Sequence, residues 1–90
     1  MNNFKKYRNP ISELVDLIND NTPYDVFMYS SKDNIGFCIY TEEYQEGEPY
    51  EPAFRSGALS YRHSSEAEFE AAMSELNAFY KFGSEMAVTA

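Results

Sequence analysis

The chain has 90 residues, with 7 Lys and Arg against 15 Asp and Glu and a formal net charge of −8. At this length folding reduces the exposed surface from roughly 15,000 to roughly 5,400 Å², which allows one small domain and excludes a second domain, a repeat array or a sizeable ligand channel. The charge weighs against direct binding to nucleic acid or to an anionic membrane, since both repel such a surface, while aromatics at 17% (8 Tyr, 7 Phe, no Trp) point to a folded chain.

The N-terminus reads Met1-Asn2-Asn3-Phe4-Lys5-Lys6-Tyr7-Arg8 and no apolar stretch follows it, so no secretory signal and no membrane span are expected. Cys38 is the only cysteine. It leaves no intramolecular disulfide and no multi-cysteine metal site, and suits a reducing, cytoplasmic setting.

Phe4, Tyr7, Ile11, Leu14, Val15 and Ile18 recur at three- and four-residue steps, the period of an amphipathic helix. Pro10 is welcome only in a first turn and Asn9 is a good N-cap, which predicts a helix over 10–20 with Phe4 and Tyr7 in a lead-in segment or a preceding helical turn. The run Asn19 to Pro23 stops it. Tyr24 to Tyr29 and Ile35 to Thr41 are aromatic and β-branched, and Ser30 to Asn34 between them reads as a hairpin connection. Ala53 to Arg62 alternates polar and apolar residues and is a third strand, with Gly57 as a bulge. Ser65 and Glu68 have the capping-box spacing that opens a second helix. Its apolar stripe is Phe69, Ala72, Met73, Leu76, Phe79 and Tyr80, Gly83 is its expected C-cap, and 84–90 is expected to be a flexible tail on a domain of residues 1–83.

The predicted class is therefore α+β, a single small domain of order α-β-β-β-α, with a three-stranded antiparallel meander and both helices on one face. By parity Val26, Met28, Ile35, Phe37, Ile39, Leu59 and Tyr61 face the helices. The opposite parity collects Phe27, Tyr29, Cys38, Tyr40 and Phe54, an aromatic set with nothing left in so short a chain to cover it.

Chemical motifs are sparse. His63 is the only histidine and sits beside Ser64 and Ser65, but no nucleophile elbow surrounds them and serines at a helix start serve as caps. One His and one Cys do not make a zinc set. Asp16, Asp20, Asp25 and Asp33 lack the EF-hand spacing, and the four scattered glycines form no phosphate loop. Cys38 has no basic neighbour in sequence and reads as a small hydrophobe. No enzyme, cofactor or metal is expected.

Residues 42–52 carry five glutamates, two tyrosines and two prolines. Such a loop is either a solvated segment that keeps the protein soluble or an interaction loop, in which prolines limit the entropy lost on binding and tyrosines supply rigid contact area. Glu66, Glu68 and Glu70 at a helix start are accounted for by the macrodipole, but acidic groups also lie on the first helix and the loop. Carboxylates spread over a rigid surface can occupy a groove whose Lys and Arg normally hold phosphates.

Small size, strong acidity, a tyrosine-rich sheet and the lack of a catalytic motif make the chain resemble the small phage-encoded inhibitors of the anti-CRISPR and antirestriction type, several of which are nucleic-acid mimics. The likeness lies in composition and carries over no residue. It implies a non-enzymatic inhibitor in the host cytoplasm, bound to a basic nucleic-acid-binding protein or complex. The element order is also similar to that of the double-stranded-RNA-binding domain, but that family opens its second helix with a lysine-rich stretch where this chain has Ser-Ser-Glu-Ala-Glu-Phe-Glu. On the inhibitor reading Glu42, Glu43, Glu46, Glu48 and Glu51 supply charge, Tyr44 and Tyr50 contact area, and Glu66 and Glu70 further charge. The alternatives are an antitoxin or immunity protein against a basic nuclease, and a homo-oligomeric structural module that buries Phe27, Tyr29, Tyr40 and Phe54 against a second copy.

Overall fold

The structure is a computed structural model that describes residues 4–89. Residues 1–3 and 90, the ends of the predicted domain and tail, lie outside the described residues. The fold is α+β, one small domain in two layers: helices α1 (Arg8–Asn21) and α2 (Glu66–Thr89) cover one face of an antiparallel sheet of β1 (Asp25–Ser30), β2 (Asn34–Tyr40), β3 (Phe54–Arg55) and β4 (Leu59–Ser60).

A single 3-10 turn, Phe4–Tyr7, feeds directly into α1. Asn9 is therefore not the N-cap; Tyr7 holds that place and makes no side-chain cap bond. The helical run starts upstream because Phe4 and Tyr7 pack their rings on Phe69 of α2, at 5.6 and 5.1 Å. Pro10 still falls in the first turn, where its missing N–H has no partner to lose. At the other end the Thr22 hydroxyl donates to the Ile18 carbonyl at 2.7 Å and accepts the Tyr24 N–H, which turns the chain into β1.

The capping box forms as expected. The Ser65 N–H donates to Glu68 Oε2 at 3.0 Å and the Glu68 N–H to Ser65 Oγ at 3.2 Å. The end of α2 differs: Gly83 does not cap the helix, which continues to Thr89 through the segment expected to be a tail. Gly83 is buried, and a Cβ there would lie 2.6 Å from Thr22 Cβ. Its lack of a side chain serves a close approach of α2 to the end of α1. Since Tyr7 at the start of α1 bonds Glu66 and Glu70 at the start of α2, the two helices run side by side in the same direction.

β1 and β2 form a regular hairpin in which Val26 faces Ile39 and Met28 faces Phe37. β3 and β4 are two halves of an interrupted third strand, both paired with β2. Ile39 opposes Phe54 and Ile35 opposes Leu59, so the third strand covers five steps where β2 covers four. The extra residue is a bulge at Ser56 to Ala58, where Gly57 takes φ +70°. Ser56 mends the ladder by donating its N–H to the Phe37 carbonyl at 3.0 Å and accepting the Phe37 N–H on its hydroxyl at 2.9 Å.

The core lies between the layers. Ile11, Val15 and Ile18 of α1 and Phe69, Ala72 and Leu76 of α2 meet Val26, Ile35, Phe37, Ile39, Leu59 and Tyr61, the face that parity selects; Met28 is half-buried at its edge. Each fully buried Ile, Leu or Phe among them contributes about 1.5–3 kcal/mol. Phe54 departs from expectation. The bulge reverses parity between β3 and β4, so Phe54 turns to the helices and packs against Phe37 at 5.9 Å and Phe79 at 6.4 Å.

Candidate functional site

With two helices committed to one face, the other face of the sheet stays open, and the described molecule is only 18 Å across its thinnest axis. Strand alternation puts Asp25, Phe27 and Tyr29 of β1 and Gly36, Cys38 and Tyr40 of β2 on it. Phe27 is 63% exposed and Tyr29 40%. The Tyr29 ring lies over Gly36, its cross-strand partner, on ground that any Cβ would occupy. Cys38 sits half-exposed between Phe27 and Arg55, its partners on the neighbouring strands. Strand pairing thus supplies the basic neighbour that the local sequence lacks. Phe54, removed to the core by the bulge, does not belong to this surface.

The acidic loop of residues 41–53 returns to the open face. Tyr50 stacks on Tyr40 with ring centroids 4.4 Å apart and planes 9° from parallel, and Tyr44 meets Tyr50 edge-on at 5.5 Å. Desolvation of the Tyr50 hydroxyl, reinforced by nearby Asp25 and Tyr40, pushes its pKa above the ordinary tyrosine value. Gly47 takes φ +86° in the turn that reverses the loop. Around Tyr50 the loop encloses a shallow concavity of about 480 Å³ lined by Glu42, Glu43, Glu48 and Glu51. Glu46 is exposed on the same loop. Two features that looked separate in the sequence, the aromatic sheet parity and the acidic tract, are joined by the Tyr40–Tyr50 stack into one continuous surface.

Glu66 and Glu70 are not part of it. They lie in the helix layer, where the Tyr7 hydroxyl is 2.8 Å from Glu66 and 2.7 Å from Glu70, and Lys6 pairs with Glu66 at 3.3 Å. Hydrogen bonds from Tyr7 and then Lys6 hold the Glu66 carboxyl below its usual range, and bonding to Glu70, with desolvation and Glu66, pushes the Tyr7 phenol well above its own. The two carboxylates anchor the start of the chain to α2. No sequence periodicity signals such a tie.

A second concavity, of about 400 Å³, lies between α2 and the interrupted strand and is lined by Phe54, Leu59, Ala72, Ser56, Ser64 and Glu68. Apart from the exposed Glu75, its polar side chains are in use: Ser56 on Phe37, Ser64 Oγ on the Ser60 N–H, Glu68 in the capping box. His63 is exposed at the turn after β4, its N–H donating to the Ser60 hydroxyl. Among the described residues no three His, Cys, Asp or Glu side chains are placed to hold a metal ion, and no helix is long and apolar enough to cross a membrane. Set against protein-family models, curated proteins and solved structures, the chain matches none of them.

Proposed function

We propose that the protein is a non-enzymatic, acidic inhibitor that occupies the basic, nucleic-acid-binding surface of a partner protein, as several of the phage anti-defence proteins it resembles in composition do. The observation that carries this reading is the continuity of the open aromatic face with the glutamate loop. Rigid tyrosine and phenylalanine rings supply contact area at low entropic cost, and loop carboxylates supply complementarity to lysine and arginine. An antitoxin acting on a basic nuclease would use the same surface in the same way; the identity of the partner separates the two.

The test is capture from a bacterial lysate on immobilised protein at low and high salt, followed by competition with a DNA duplex. Basic nucleic-acid-binding proteins are expected on the resin, released both by salt and by the duplex. Reversal of Glu42, Glu43, Glu46, Glu48 and Glu51 to Lys is expected to abolish their capture. Capture of nothing, or capture indifferent to duplex and to loop charge, refutes the reading.

A further inference from the structure

We infer that the open sheet face and the tyrosine cluster beside it form an arginine-recognition surface, which docks an arginine-rich segment of a protein partner and discriminates it from a lysine-rich one. This rests on the function proposed above and adds the chemistry of the contact.

Exposed rings and carboxylates occur here within reach of the same group. Tyr44 is 67% exposed and Tyr50 36%; the Tyr50 ring lines the concavity with Glu42, Glu43, Glu48 and Glu51, and Tyr44 meets Tyr50 edge-on. Asp25 is paired in register with Tyr40, under the Tyr50 ring. A guanidinium lies flat on a tyrosine face while its N–H groups fork to carboxylates at the ring edge, whereas an ammonium is a compact, strongly hydrated charge that gains less from the ring. No described Lys or Arg forms an ion pair with the loop glutamates; Lys6 pairs with Glu66 and Arg62 with Asp33, both away from the loop. Arg55, opposite Cys38, is the one basic residue the strand register puts on this face among the described residues.

The same features select against other occupants. Single-stranded nucleic acid would stack its bases on such rings, but its phosphates would meet the glutamates. A second copy related by a twofold axis would set this acidic surface against the same acidic surface.

The test titrates two synthetic peptides of equal charge, (Arg-Gly-Ser)4 and (Lys-Gly-Ser)4, into the full chain, with calorimetry for affinity and amide NMR for location. The arginine peptide is expected to bind about tenfold more tightly, with shifts at Phe27, Cys38, Tyr40, Tyr44 and Tyr50. Tyr44→Ala, a change at an exposed ring, is expected to bring the two peptides towards equal affinity, and Arg55→Glu to tighten both. Equal affinities for the parent chain overturn arginine recognition and leave inhibition through charge alone standing. Shifts confined to the helices, tighter binding of oligo(dT), or self-association through Phe27 and Tyr29 also overturn it. An arginine preference without competition in the lysate experiment removes the proposed function and leaves the surface assigned.

Discussion

Tyr7 has one proton and two carboxylates within reach of it, Glu66 and Glu70. The neutral phenol is the donor, so the folded state resists its ionisation, and the stabilisation it contributes is intact below the ordinary tyrosine value of 10.0 and lost as pH climbs above it. Glu66 works in the opposite direction: its carboxyl titrates below the ordinary 4.5, so its contribution is present at neutral pH and fades as pH falls through the acid range. Tyr7→Phe removes the main cause of the Glu66 shift as well as the phenol itself. It is expected to lower the urea midpoint at pH 7 and to flatten the stability profile on both its acid and alkaline limbs, while Glu70→Gln flattens the alkaline limb. Because the Glu66 side chain is about half exposed, at 54%, solvent screens the pair and the effect at neutral pH is small. A profile unchanged by Tyr7→Phe would show that the contact does not persist in solution.

Among the elements, glycine and asparagine do work that their local signals misstate. Gly83 reads as a helix stop because glycine is a poor helix former, but it sits inside α2 and admits Thr22. Gly83→Ala gains about 1 kcal/mol of helix propensity and sets it against an overlap that typically costs about 1–3 kcal/mol. A lower thermal midpoint is expected, whereas an exposed mid-helix glycine would give a higher one. Asn19 in α1 reads as a turn former. Its amide instead clasps edge strand β1, accepting the Val26 N–H at 2.7 Å and donating to the Val26 carbonyl at 3.1 Å, and so closes a site where another strand could pair. Asn19→Ala should cost about 1–2 kcal/mol and raise self-association in sedimentation velocity. The helices, the hairpin, the capping box and the bulge glycine were legible because each is written in residues close together in the chain. The turn of Phe54 to the core was not, since an odd insertion in a strand exchanges its faces and parity cannot be carried across it. The Tyr40–Tyr50 stack escaped for a related reason: it depends on the path of a loop that has no period.

At the scale of the whole molecule, the net charge of −8 makes the folded state repel itself, with five of the glutamates on one loop. Added salt is expected to raise the thermal midpoint by a few degrees and the loop-reversed variant to lose most of that dependence, its fold otherwise unchanged since exposed charges contribute little to stability. Equal salt dependence in both proteins would place the repulsion elsewhere. The division of the core between the two helices also bears on how the chain is made. α1 and the β1–β2 hairpin are complete once residue 40 has been synthesised, but Phe69, Ala72 and Leu76, which finish their cover, come some 30 residues later. At about 5–20 residues per second the nascent sheet spends a few seconds with its apolar face half covered. During synthesis, then, the surface at risk is the one that is safest in the finished protein.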